Sequence, residues 1–217
     1  MNVLITGTSS GIGNATAIKF LNSGYNVLGI DRLSMPSNLN KYDKYTHYTY
    51  DISKDLPDIK VPIHILINNA GTQQENDIEV NLVSAIKISE KYAITPSIKS
   101  ILNVCSTSAH NGAEFPEYCA SKGGLLAYTK HLAMKVAQYG ATCNSISPGG
   151  VITPMNSHIL KDDKLYQTVL NETLLGKWAS ADEIAEWIYF LTVINKSMTG
   201  QDIIIDNGEL CKYNFIW

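Results

Sequence analysis

Tyr118-Cys-Ala-Ser-Lys122 sets a phenol and an ammonium four residues apart, which on a helix puts both on one face. A nearby ammonium favours the tyrosinate, drawing the phenol down from about 10 toward the working range of a general acid–base. Ser106, just past the apolar run Ile101–Cys105, could donate a hydrogen bond to a carbonyl oxygen. The Tyr–Lys pair alone is weak. With 12 tyrosines among 217 residues, roughly one such spacing arises by chance. A second pair, Tyr50-Asp-Ile-Ser-Lys54, ends a strand-like run, where residues four apart stand about 13 Å apart at extended rise. Tyr118 opens a long helix after a strand, so the chemistry is placed there. In the Cys-Ser-Thr-Ser run, Ser106 is preferred to Thr107 and Ser108 because it falls where the strand should end.

A second chemical signal lies at the start. Asn2–Ile5 is a short apolar strand running into Thr6-Gly7-Thr8-Ser9-Ser10-Gly11-Ile12-Gly13 and then a helix. Such a turn presents unpaired backbone N–H groups at a helix N-terminus, where an anion is welcome. Glycines let a pyrophosphate approach the backbone. Asp31 follows the second apolar strand, about 20 residues past the glycines, where an acidic side chain accepts from an adenosine ribose. Its carboxylate suits both ribose hydroxyls of NAD and repels a 2′-phosphate, so NAD is expected and NADP less favoured. Arg32 cuts the other way by offering a phosphate partner.

The elements that must position these groups alternate along the chain. The first helix closes at Leu21-Asn-Ser-Gly24 and Asn26–Ile30 is the second strand. Tyr45–Tyr50, Ile63–Ile67, Ile101–Cys105, Ala141–Ser147 and Gln201–Ile205 read as further strands. Glu79–Tyr92, Pro116–Tyr139 and Ala181–Val193 have helical spacing, and a looser helical stretch follows Pro154. This is an α/β pattern: one Rossmann-type, doubly wound sheet of seven parallel strands with helices on both faces, in a single domain over residues 1–217. Ligands bind outside the carboxyl ends of such strands, which gathers the glycine turn, Asp31, Asp51, 68–71, Ser106 and 148–153 into one crevice.

A net charge of −3 and a pI near 5.9 offer no basic patch for nucleic acid. No apolar run approaches the roughly 20 residues that span a bilayer. Met1 leads directly into a strand, leaving no room for a signal peptide. Cys105, Cys119, Cys143 and Cys211 show no C-x-x-C spacing and read as reduced thiols. A cytoplasmic protein without a metal site is expected.

Taken together, these motifs resemble the short-chain dehydrogenase/reductase family, in its single-domain branch, over nearly the whole chain. Thr6–Gly13 is similar to its T-G-x-x-x-G-x-G turn, Asn68-Asn69-Ala70-Gly71 to its N-N-A-G strand end, and Pro148-Gly149-Gly150-Val151-Ile152-Thr153 to its segment over the nicotinamide. The resemblance implies an NAD(P)(H)-dependent oxidoreductase transferring a hydride between the nicotinamide and a secondary alcohol or ketone. Tyr118 would be the general acid/base, Ser106 would polarise the oxygen, Lys122 would lower the phenol pKa and hold the ribose, and Asn81 would order a relay water. Cofactor contacts would come from Gly7, Ser9, Ser10, Gly11, Ile12, Gly13, Asp31, Asp51, Ile52, Asn69, Ala70, Gly71, Tyr118, Lys122, Pro148, Gly149, Val151 and Thr153. A homodimer or homotetramer on the two long helices is implied as well.

Some of these residues have plainer readings. Asn81 could only cap its helix, and Asp51 only a turn. His110 and Glu114 would line the substrate entrance or face solvent. Leu125, Leu132 and Val136 read as core or subunit contact. Only ten residues lead from Gly71 to Asn81, where relatives carry a longer loop and a short helix. That implies a more open or smaller-substrate site, or a wall from a partner subunit. It also keeps a second reading alive, a non-catalytic nucleotide-binding regulator on the same fold. The lid 155–175, charged at 161–164, favours a compact polar substrate, and the aromatic end Tyr213–Trp217 is expected to pack against the body or a second subunit.

Overall fold

The structure is a computed structural model, and it describes residues 1–113 and 115–212. Tyr213–Trp217 and Glu114, with the roles expected of them, lie outside the described residues. Strands β1 (Asn2–Thr6), β2 (Asn26–Asp31), β3 (Tyr45–Thr49), β4 (Ile65–Asn68), β5 (Ser100–Val104) and β6 (Thr142–Pro148) enter one sheet. Between them run α1 (Gly11–Asn22), α2 (Ser84–Tyr92), α3 (Ser108–Asn111) and α4 (Pro116–Val136). Beyond β6 come β7 (Val151–Ile152), α5 (Ser157–Leu160), α6 (Asp163–Leu170), β8 (Ala179–Ser180), α7 (Ala181–Tyr189) and β9 (Asp202–Ile205). The seven-stranded sheet has the order β3-β2-β1-β4-β5-β6-β9, and every pair is parallel. The chain winds outward from β1 in one direction and from β4 in the other, so their carboxyl ends flank the switch point.

Each strand feeds two cores by alternation. Leu4, Leu66, Ile101 and Cys143 face α2 and α4, where Leu125, Leu132 and Val136 are buried, so that stripe is core. Val3, Ile5, Ile67 and Ile146 face the other side, with Phe20 of α1 and Ile184 and Ile188 of α7. Burial on both faces explains the near-continuous apolar runs read as strands. All four cysteines are free thiols. Burial raises Cys105 to about 12 and pushes Cys143 up as well, which makes both inert packing groups. No helix among the described residues is long and apolar enough to cross a membrane.

Three features depart from the expected outline. A π-helical turn, Ile78–Val83, leads into α2, and another, Phe190–Ile194, extends α7. The two-residue strands β7 and β8 form a separate parallel ladder. The expected helix 116–139 ends its α-helical part at Val136 and finishes in a 3₁₀ turn before Gly140, at φ +67°.

Candidate functional site

The glycine turn is built for close approach. Gly7 and Gly11 have φ of +77° and +54°, values that only glycine adopts without strain. A Cβ on Gly13 would stand 2.1 Å from the Gly7 carbonyl oxygen, so this glycine lets α1 pack onto its own turn. Ser10 opens α1 with no side-chain cap, and no acidic residue occupies the first turn. The first N–H groups therefore remain available to an anion. The Thr6 hydroxyl accepts from Asn69 N and Ala70 N, each at 3.0 Å, and Asn69 Nδ2 donates to the Thr6 carbonyl at 2.9 Å. These bonds lock the two strand ends side by side at the switch point.

At the far end, Asp31 Oδ2 accepts from Ser9 N and its Oδ1 from Leu33 N, both at 2.9 Å. The carboxylate is thus aimed, and each oxygen keeps a lone pair for a ribose hydroxyl. Behind it the Tyr45 hydroxyl bonds Thr8 Oγ1 and His47 Nδ1, both at 2.8 Å. Burial raises this phenol to about 12, so it is a structural strut. Gly29 leaves it room, since a Cβ there would stand 2.3 Å from the hydroxyl. Asp51 caps a turn by accepting from Ser53 N (3.1 Å) and Ser53 Oγ (2.7 Å), and with Lys54 these bonds lower its pKa. It also lines the cleft. Lys54 bonds back to Asp51 in a turn rather than continuing an extended strand, at 3.1 Å.

Pro116 begins α4 at a position where a missing N–H costs nothing, and Tyr118 follows in the first turn. One turn on, Lys122 is 4% exposed. Its Nζ donates to the Val104 carbonyl at 2.8 Å and stands 5.7 Å from the Tyr118 ring centre. Burial pulls the ammonium below its ordinary value, opposed by the nearby Cys105 and Asp77. Ser106 is buried at the end of β5 and receives Ser108 N at 3.2 Å. Asn81 sits inside the π turn rather than at a helix start, so it does not cap. Its Oδ1 accepts from Thr72 N (2.8 Å), and its Nδ2 donates to the Thr72 carbonyl (3.0 Å) and Ser121 Oγ (3.1 Å).

One cleft of about 1040 Å³ joins these ends. Every residue expected at the site lines it except Ser9, Gly13 and Asn81. Ser9 is turned onto Asp31 and Ser34, Gly13 packs beneath the turn, and Asn81 stands behind Gly71. The cleft suits a dinucleotide, because a Cβ on Gly7 would fill the cradle at 2.8 Å from Asn69 Nδ2. The short connection after Gly71 supplies a wall itself through Gln73, Gln74 and Glu75. His110 instead lies off the cleft lining, its Nε2 on Asp202 Oδ2 (2.9 Å) and Ser147 Oγ (3.2 Å), tying α3 to the sheet edge. Met155 and His158 line the cleft from the segment 155–175 expected over the substrate, whereas sequence reasoning missed Phe115, Trp178 and Glu209 on the wall. Gly150 was the available signal for Trp178, since a Cβ there would meet the indole at 2.1 Å.

A family model described as enoyl-(acyl carrier protein) reductase matches residues 58–209. A short chain dehydrogenase of Penicillium roqueforti is 31% identical, covering 95% of each chain. A 3-oxoacyl-(acyl-carrier-protein) reductase of Buchnera aphidicola is also 31% identical, over 94% of this chain and 95% of its own. The solved structure of a 4-hydroxyisoleucine dehydrogenase mutant with NADH and succinate superposes with a TM-score of 0.88 at 26% identity, covering 99% of this chain and 100% of that one. On the length of the family match and the end-to-end alignment with these relatives, the chain belongs to the short-chain dehydrogenase/reductase family.

Proposed function

We propose that this nicotinamide-dependent oxidoreductase works with NAD(H) and interconverts a compact polar secondary alcohol and its ketone, with Tyr118 as general acid and base. The observation that carries the reading is the buried Lys122 ammonium beneath Tyr118, in the cleft that also holds Ser106, the glycine turn and Asp31. The bound nicotinamide would supply or take up the hydride. In reduction the Tyr118 hydroxyl gives its proton to the carbonyl oxygen, which the Ser106 hydroxyl orients and polarises. Lys122 stabilises the tyrosinate left behind. In oxidation the same groups run in reverse. The Asn81 side chain is committed to Thr72 and Ser121, so a relay water would rest on the backbone of its π turn. Glu172 and Glu209 on the substrate wall, with His158, favour a polar substrate over a greasy one. Trp187, Phe190 and Ile194 stand exposed along one face of α7 and its π turn. They support a homodimer or homotetramer, through α7 rather than α4, where Met134 is the exposed apolar side chain.

Nicotinamide absorbance tests the reading, on wild type and Tyr118→Phe, over small ketones and alcohols with each cofactor. Turnover is expected to fall by about 10²–10⁴-fold in the variant with cofactor binding kept. Equal turnover in the two proteins would remove Tyr118 from the mechanism.

A further inference from the structure

Arg32 is the single arginine of the chain. It follows Asp31 directly and lines the end of the cleft where that carboxylate is aimed. A guanidinium there, planar and permanently charged, is what a ribose 2′-phosphate would seek. It already has a partner. Arg32 Nη2 lies 3.7 Å from Glu75 Oε2, with the two side chains 63% and 69% exposed.

Glu75 reaches this point from the short connection between Gly71 and Asn81, and that connection is held rigidly. Asp77, only 1% exposed, accepts from Thr72 Oγ1 (2.9 Å), Gln74 N (2.9 Å) and Glu75 N itself (3.2 Å). Gln74 and Asn76 sit at φ of +67° and +56°, strained values that persist because the Asp77 and Asn81 bonds over-determine the loop. The backbone of Glu75 is thus pinned to a buried carboxylate at the edge of the cleft.

We infer that Glu75 is a determinant of cofactor choice: it engages Arg32 and adds a second negative charge to that of Asp31, disfavouring a 2′-phosphorylated dinucleotide. The inference rests on the reading of the cleft as a dinucleotide site and deepens it. Asp31 gains by accepting from free ribose hydroxyls. Glu75 acts differently, by occupying the guanidinium that could offset Asp31 when a phosphate replaces a hydroxyl. A longer loop, or one not tied down by Asp77, would not hold a carboxylate there. The pair is exposed and screened by salt, so the expected effect is modest, about threefold to tenfold in affinity, shrinking as ionic strength rises.

The test is fluorescence titration of NADH and NADPH on the full chain as wild type, Glu75→Gln, Arg32→Ala and the double variant, at low and high salt. Glu75→Gln is expected to tighten NADPH by about threefold to tenfold and leave NADH within about twofold. In the Arg32→Ala background that gain is expected to fall by at least half. An unchanged NADPH-to-NADH ratio in Glu75→Gln overturns the inference, and so does an equal gain without Arg32. A wild type that prefers NADPH refutes the NAD reading alone, because the shift on Glu75→Gln still decides the role of Glu75. A chain that binds neither dinucleotide overturns both.

Discussion

The Asn81 side chain grips the Thr72 peptide from both ends, accepting from its N–H at 2.8 Å and donating to its carbonyl at 3.0 Å. One amide thereby substitutes for a strand partner and holds the short connection against α4 through Ser121. Asn81→Asp keeps the shape but loses the donor, turning a carboxylate toward the Thr72 carbonyl. Removing such buried pairing costs about 1–3 kcal/mol, so the urea midpoint should fall. The affinity for NADH should fall with it, because the wall from Gly71 to Glu75 loosens. An unaltered midpoint would mean that Asp77 alone holds the connection.

Lys122 gives a pH signature. Burial lowers its pKa, so between its folded value and the ordinary lysine value near 10.5 the unfolded chain binds more protons than the folded one. Through that window stability rises with pH. On the proposed mechanism activity should do the opposite, falling as the ammonium beside Tyr118 is lost. Lys122→Met keeps the length and removes the buried charge. It should cost less than about 2 kcal/mol of stability, abolish the pH-dependent gain in stability, and lower turnover by at least about 10²-fold. Thermal melts from pH 7 to 10.5 on both proteins, beside initial rates, separate the two effects. Parallel melt curves would place the titration elsewhere.

At Ser180 the start of α7 carries a reciprocal cap. Ser180 Oγ accepts from Glu183 N at 3.1 Å, and Glu183 Oε2 accepts from Ser180 N at 2.8 Å. Ser180→Ala should cost about 1 kcal/mol. Lys177 and the Ser180 N–H hold the Glu183 carboxyl below its ordinary value of 4.5. Its contribution is therefore present above that value and lost as pH falls through the lowered folded one. The exposure of the pair keeps the term small. Acid unfolding of Glu183→Gln against wild type checks it: the gap between the curves should close as pH drops.

What was legible in the sequence follows the length of each signal. Strands buried on both faces read as apolar runs, and the polar residue ending each run, such as Asp31, Asn68 or Ser106, marked the carboxyl edge where the cleft lies. The two π turns were invisible because one inserted residue scarcely disturbs a helical hydrophobic period. The ladder β7–β8 is two residues long on each side, too short for any periodicity. His110 depends on Asp202, 92 positions away, and Arg32 on Glu75, a pairing that only the folded loop creates. The shortened segment itself was plain. That a buried Asp77 would turn it into a wall was not, since an aspartate in a polar loop ordinarily faces water.

Three glycines test how tightly the site is built. A Cβ at Gly123, inside α4, meets nothing within 4 Å, so Gly123→Ala gains helix propensity and should stabilise by about 0.5–1 kcal/mol. At Gly124 the Cβ would stand 2.7 Å from Leu82 Cδ2, a terminal methyl that can swing aside at small cost. At Gly13 it would stand 2.1 Å from the Gly7 carbonyl oxygen and 2.5 Å from Asn69 Nδ2. Neither can move without parting the turn from the end of β4, so Gly13→Ala should cost about 1–3 kcal/mol and abolish NADH binding. The expected order of melting temperature is Gly123→Ala, wild type, Gly124→Ala, Gly13→Ala. A Gly13→Ala protein that melts like wild type and still binds NADH would show that α1 can slide along its turn, and the anion site would then owe its shape to the loop alone.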